Sequence, residues 1–175
     1  MTSNKKSIKN KKAANKIIQR RMLYATGLGL IPIPLVDAAS ILVIQVIMVK
    51  DIAKLYKVPF KEHRVKSFIA SLVGSIGTMS AVKIIPIMGS IAGGAAVALS
   101  GAATTYALGK VFTQHFDQGG TLLDFDPIKS REYFKEIYEE GKLEVAELKA
   151  TKNNLGKNKL NYLIGLAECY AVSNK

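Results

Sequence analysis

The sequence predicts an all-α fold, a helical bundle built from two apolar helical hairpins plus C-terminal amphipathic helices. Hydrophobic residues make up 49% of the 175 residues. They gather in long uncharged runs in the middle of the chain, which is typical of helices that are apolar all round. Prolines divide these runs, and beyond residue 126 apolar residues recur at helical spacing. The length fits one domain with its own core.

The longest uncharged run, residues 84–109, carries small side chains at every fourth position. Residues with that spacing lie on one side of a helix, where small side chains let a second helix approach closely. The pattern suits both a membrane helix contact and the core of a soluble bundle. We expect this helix-packing stripe to consist of Gly89, Gly93, Val97, Gly101, Thr105 and Gly109.

The first 21 residues form a basic segment that we expect to be partly disordered, with no fixed structure in residues 1–12. From Ala13 onward, apolar residues at helical spacing predict a short amphipathic helix. This helix either lies on anionic lipid, where each cation contributes on the order of 1 kcal/mol, or docks its apolar face on the body of the protein. The segment holds no acid, and its expected lipid contacts are Lys5, Lys6, Lys9, Lys11, Lys12, Lys16, Arg20 and Arg21.

Two prolines interrupt the first apolar region, residues 23–49. Proline removes a backbone donor and disfavours helix in the residue before it, so Pro32 and Pro34 predict a turn between two helices. Pro34 suits the first turn of the second helix. The carboxylate of Asp37 is expected close behind it, where the partial positive charge of the helix N-terminus stabilises an acid. Gln45 lies two turns further on, and with Asp37 it predicts a polar line towards a neighbouring helix.

A basic connection, residues 50–66, leads to the second apolar region, residues 67–109. Its His63 stands among charged residues, and we expect it to be exposed rather than a metal ligand. Basic segments flank both hairpins, so a double hairpin open to the cytoplasm agrees with the preference of such segments for that side. Two arms are shorter than the roughly 20 residues of a full span. The hairpins are therefore either re-entrant in the membrane or the core of a soluble bundle.

The charged C-terminal third begins with a continuation of the helix of residues 84–109. We expect this helix to stop at the glycine pair 119–120, because glycine permits the turn that ends a helix. Leu122 and Leu123 are expected to enter the core. Asp126, followed by proline, predicts the cap of the next helix.

We expect that next helix over residues 128–140, with a brief break at Gly141, and a loop at residues 153–154. A final amphipathic helix is expected to follow. This pattern divides the chain into a basic segment at residues 1–21, a helical domain at residues 22–150, and a loop with a C-terminal helix at residues 151–175.

No arrangement of residues argues for catalysis. A phosphate-binding loop needs an earlier glycine and a hydroxyl that no Gly-Lys pair of this chain has. The densest group of possible metal ligands, His115, Asp117, Asp124 and Asp126, lacks a recognised ligand spacing. We therefore expect no enzyme and assign no catalytic, cofactor-binding or metal-binding residue. The single Cys169 excludes an internal disulfide and suits a reducing compartment. The lysine-rich start has no interleaved aromatic, so nucleic acid is not expected as a partner.

Several ordered motifs resemble one known family. They read GLGLIPIPLVDAASILVIQVIMVKDIAKLYKV, SLVGSIG, KIIPIMGSIAGG, ATTYALGKVFTQHFDQGGTLLDFD and YFKEIYEEGK. Together they cover residues 25–142 and resemble the domain of unknown function 697 family, the YcjF-like domain often found C-terminal to bacterial GTPase domains. The resemblance implies an all-helical, membrane-associated or membrane-proximal accessory domain that works with a GTPase.

Two functions remain open at this point. The first is a bacterial helical interaction module at the cytoplasmic side of the inner membrane, held by its apolar hairpins and its basic start. The second is a soluble, cytoplasmic helical bundle that binds a protein, either a GTPase or a further copy of itself. No small-molecule substrate is evident. The expected partner surface in the second case consists of His115, Phe116, Gly119, Gly120, Asp124 and Asp126.

Overall fold

The structure, a computed structural model, describes the backbone of residues 2–28, 34–84 and 91–154 and the side chains of residues 4–25, 41–76 and 100–147. It confirms the all-α fold, because these ranges contain helices and connecting turns and no strand. The helices are α1 (Thr2–Leu28), α2 (Pro34–Tyr56), α3 (Glu62–Ile84), α4 (Ile91–Asp117) and α5 (Arg131–Asn154).

Helix α4 is the centre of the bundle. Residues 101–109 are all buried, because α1, α2 and α5 all pack against this helix. Helix α3 lies outside them and packs on α2 and α5. A helix that is apolar all round is expected at such a central position.

Small residues of α4 allow this close packing. A Cβ at Gly101 would lie 2.8 Å from Ile41 Cδ1. Thr105 Oγ1 accepts a hydrogen bond from Gln45 Nε2 at 3.3 Å, so Gln45 does face a neighbouring helix. A Cβ at Gly109 would collide with Ile18 of α1 and lie 3.2 Å from Met48 Sδ of α2. The other members of the predicted stripe, Gly89, Gly93 and Val97, lie outside the described side chains, as does Asp37.

The contacts on α4 also give the helix directions. Helix α2 runs parallel to α4, because Ile41 faces Gly101 and Tyr56 reaches Asp117. Helix α1 is antiparallel to α4, since Ile18 faces Gly109 while Ser7 contacts Asp117. Helix α5 turns back along α4 and brings Gly141 against Ala103. Helices α1 and α5 therefore run in the same direction.

The disorder expected in residues 1–12 is wrong, because α1 is helical from Thr2. One side of α1 buries Ala14, Ile18, Met22 and Ala25 completely. Burial of Ile18 and Met22 alone contributes roughly 3–6 kcal/mol, whereas repulsion between exposed like charges on a helix costs only about 0.2–0.5 kcal/mol per pair. Of the two placements considered for this amphipathic helix, the structure has the one in which its apolar face docks on the body.

Helix boundaries agree with the proline and glycine signals in part. Helix α2 begins at Pro34, as predicted. Helix α5 begins at Arg131 and continues through residues 153–154, so the expected break at Gly141 and the expected loop are wrong. Gly141 is instead the place where α5 approaches α4, since a Cβ there would lie 3.0 Å from the carbonyl oxygen of Ala103. The expected final helix falls outside the described residues.

Within the described parts of α1 to α5, none combines the length and the apolar character that crossing a bilayer requires.

Two glycine substitutions test the packing of α4. We expect Gly109→Ala to destabilise the protein by about 1–3 kcal/mol, because the new methyl group overlaps the buried side chain of Ile18. The matched control is Gly74→Ala in α3, where nothing lies within 4 Å of the added Cβ. It should stabilise the protein by about 0.5–1 kcal/mol through helix propensity. Urea unfolding followed by circular dichroism measures both, and equal effects would contradict the described packing.

Candidate functional site

The outer side of α1 carries a straight row of cations, which we call the basic line: Lys5, Lys9, Lys12, Lys16 and Arg20. Steps of four, three, four and four residues keep these side chains on one side of the helix, opposite the buried Ala14 and Ile18. All five are exposed. Sixteen residues of helix extend the line over about 24 Å.

Two of the eight expected lipid contacts pair with carboxylates of other helices. Arg21 is only 7% exposed, and its Nη2 lies 2.7 Å from Asp51 Oδ2 of α2. The expectation that Arg21 faces lipid is therefore wrong. Lys11 is exposed, but its Nζ pairs with Asp117 Oδ2 at 3.0 Å. Lys6 is exposed beside the basic line.

Asp117 joins the ends of three helices. Ser7 Oγ donates to its two carboxylate oxygens at 3.0 and 2.9 Å, and Tyr56 OH donates to Oδ1 at 3.3 Å. Partial burial opposes ionisation of Asp117, but the hydrogen bonds from Lys11 and Ser7 outweigh it and hold the pKa of the carboxyl below its ordinary value. Burial, and then the nearby charge of Asp117, raise the pKa of Tyr56 to about 12. This cluster keeps the start of α1 on the body.

The segment after α4 forms an ordered loop. Gly119 has a φ of +89°, which permits the turn that ends α4, and Gly120 N donates to His115 O at 3.0 Å. Gly120 lies against the His115 ring, leaving no room there for a Cβ. His115 Nε2 is 2.8 Å from the carbonyl oxygen of Thr121. The predicted end of α4 at this glycine pair is confirmed.

Two aspartates complete the order of this loop. Asp124 Oδ1 accepts hydrogen bonds from the side chain and backbone N–H of Thr121, and these bonds lower the pKa of Asp124. Asp126 Oδ1 accepts the backbone N–H groups of Ile128 and Lys129 at 2.9 and 3.2 Å. These two bonds, that of Lys129 first, lower the pKa of Asp126 against a smaller cost of desolvation. Asp126 thus caps the turn that precedes α5, close to the role predicted for it.

The residues expected to form the partner surface differ in their exposure to solvent. His115 and Asp124 lie together, with Nε2 and Oδ2 3.8 Å apart. Phe116 is 3% exposed and packs on the ring of Phe112, so it supports the loop from inside instead of belonging to the exposed surface.

Sequence reasoning missed two exposed apolar residues in this loop. Leu123 is 74% exposed and Ile128 is 66% exposed, whereas Leu122 is buried as expected. The expectation that Leu123 enters the core is wrong. Adjacent residues of a turn point to different sides, so a Leu-Leu pair in a loop already indicates that one member faces solvent.

The described side chains offer no site for a metal ion. Nowhere among them do three histidine, cysteine or carboxylate groups converge as ligands. His63 is exposed.

Comparison with known proteins gives a family match and a named relative. The family model described as "Domain of unknown function (DUF697)" matches residues 1–142, a range that includes α1. Magnetosome membrane protein 22 of Magnetospirillum gryphiswaldense is 33% identical over 147 residues, which cover 79% of this chain and 75% of that protein. No solved structure matches.

Proposed function

This chain belongs to the domain of unknown function 697 (DUF697) family, and from that premise we propose a non-enzymatic helical accessory protein that associates with an anionic membrane surface. The basic line of α1 is the single observation that carries the proposal. A relative named as a membrane protein supports it.

The charge around α1 favours this function. No acid occurs before Asp37 in the sequence. Asp51 of α2 and Asp117 of α4 contact α1 only at Arg21, Lys11 and Ser7, outside the basic line, among the ion pairs and hydrogen bonds of the described residues. The exposed side of α1 is therefore uniformly positive. Five cations that contribute on the order of 1 kcal/mol each supply roughly 5 kcal/mol of attraction to anionic lipid at low salt.

The packing of α1 determines how such a contact works. Its apolar residues Ile18 and Met22 are buried against the body, so these side chains of the docked helix are not free to insert between lipids. We infer electrostatic adsorption of a folded surface, which salt weakens. Helices that bind by insertion present a free apolar face instead.

Vesicle flotation tests the role of the basic line. Lys9→Gln, Lys12→Gln and Lys16→Gln together should weaken binding to phosphatidylglycerol-containing vesicles by roughly 100-fold, since three surface cations contribute about 3 kcal/mol. Phosphatidylcholine vesicles should bind neither protein.

The matched control removes the same charge elsewhere, with Lys66→Gln, Lys129→Gln and Lys142→Gln. Each of these exposed lysines pairs with a neighbouring acid, namely Glu62, Asp126 and Glu139, so their loss should leave lipid binding nearly unchanged. Equal losses in the two triple variants, or a wild-type protein that ignores anionic vesicles, would exclude the basic line as the lipid contact.

A second candidate function is binding of a GTPase through the surface of residues 115–128, which comprises the end of α4 and the loop after it. The observation in its favour is the exposure of Leu123 and Ile128 on a loop that Asp124 and Asp126 hold in one conformation. Ordered, exposed apolar side chains are typical anchors of protein interfaces.

Binding assays with individually purified P-loop GTPases of the same organism test this candidate. Leu123→Ser with Ile128→Ser should weaken binding by roughly 2–4 kcal/mol through lost apolar burial, and His115→Ala with Asp124→Ala should weaken it by disturbing the loop. Leu143→Ser, an exposed leucine of α5, is the control and should bind normally. Unchanged recovery with both double variants would exclude this surface.

A further inference from the structure

The outer side of α5 carries a row of mainly acidic residues, opposite in charge to the basic line. We call it the acidic line: Glu132, Glu136, Glu139, Leu143 and Glu147. These residues point away from the bundle, because Phe134, Gly141 and Val145 occupy the inner side. The side chains of Glu132 and Glu139 are 87% and 65% exposed. Their pairs with Lys135 and Lys142 within α5 are of the weak, exposed kind.

The two lines have the same spacing. Both advance by four, three, four and four residues, so a parallel alignment places one line opposite the other along its whole length. In that alignment Lys5, Lys9, Lys12 and Arg20 each meet a glutamate, and Lys16 meets Leu143. An antiparallel alignment reverses the order of steps and loses this register.

We propose that the basic line of one copy docks on the acidic line of a second copy of this chain. Charge complementarity and the shared spacing select this occupant, since both halves of the contact lie on the same chain. Exposed apolar side chains flank the charges: Ile8 is 50% exposed beside the basic line, and Leu143 is 68% exposed within the acidic line.

The helix directions define the resulting assembly. Because α1 and α5 run the same way within one copy, a parallel contact between copies makes α1 of every copy point in the same direction. The contact joins two different surfaces, so it is heterologous and leads to a closed ring or an open row. Anionic lipid competes for the same basic line. The proposal goes beyond the lipid-binding function and holds independently of it.

Charge reversal in the absence of vesicles tests the contact. Sedimentation velocity of the wild-type chain at low salt should show an average mass above the monomer that rises with protein concentration and falls with added salt. Reversal of α1 (Lys5→Glu, Lys9→Glu, Lys12→Glu) or of the facing residues of α5 (Glu132→Lys, Glu136→Lys, Glu139→Lys) should weaken association by about tenfold or more, since exposed charge pairs turn from attraction to repulsion. In the protein with both reversals, each reversed residue of α1 again faces a residue of opposite charge on α5 of the next copy, so association should return. An equimolar mixture of the two singly reversed proteins should associate for the same reason.

Circular dichroism checks that each variant keeps its helical content, and Lys66→Glu with Lys129→Glu is the control that should associate as wild type does. A wild-type chain that stays monomeric at every concentration at low salt contradicts the proposal. So does a doubly reversed protein that stays monomeric while it is folded. Failure here leaves lipid binding intact, because reversal of α5 does not alter the basic line.

Discussion

The close approach of α1 to α4 at Gly109 is the contact on which the other features of the molecule depend. Ile18 occupies the space that a side chain at position 109 would need. The partly buried Arg21–Asp51 pair continues this contact towards α2, and Asp117 continues it towards the start of α1. Because glycine has no side chain, the backbones of α1 and α4 can approach closely at this position. Once α1 is fixed in this way, its rotation about its own axis is fixed too, and that rotation determines which cations face outward.

The resulting surface separates charge by helix. The exposed side of α1 is positive and that of α5 is negative, and α4 lies between the buried sides of both. A single docking geometry thus creates a face suited to anionic lipid and a pair of complementary faces suited to self-association. Both proposed uses draw on the same five cations, so we expect membrane binding and association between copies to compete. The surface proposed for a GTPase, residues 115–128 with the exposed Leu123 and Ile128, includes none of these five cations.

Local signals in the sequence predict much of this fold, and long-range contacts explain the failures. Proline at position 34 and glycine at position 119 act on the backbone within a few residues, and the helix ends predicted from them are confirmed. The order of residues 1–12 depends on Asp117, about 110 positions away, and no local pattern reveals it. The same holds for Arg21, which resembles its basic neighbours in sequence and differs only through its contact with Asp51. The spacing of the basic line is visible in the sequence, but which side of α1 faces outward follows from the packing at Gly109.

Hydrogen exchange of the intact wild-type chain, resolved along the sequence by mass spectrometry, tests the docking of α1 most directly. If α1 is an integral helix of the bundle, the amides of residues 8–25 exchange as slowly as those of residues 103–116 in α4, because both open only when the bundle unfolds. The start of the helix, before Ser7, exchanges faster through fraying. Exchange of residues 8–25 at the rate of an unstructured peptide, while residues 103–116 stay protected, would contradict the account.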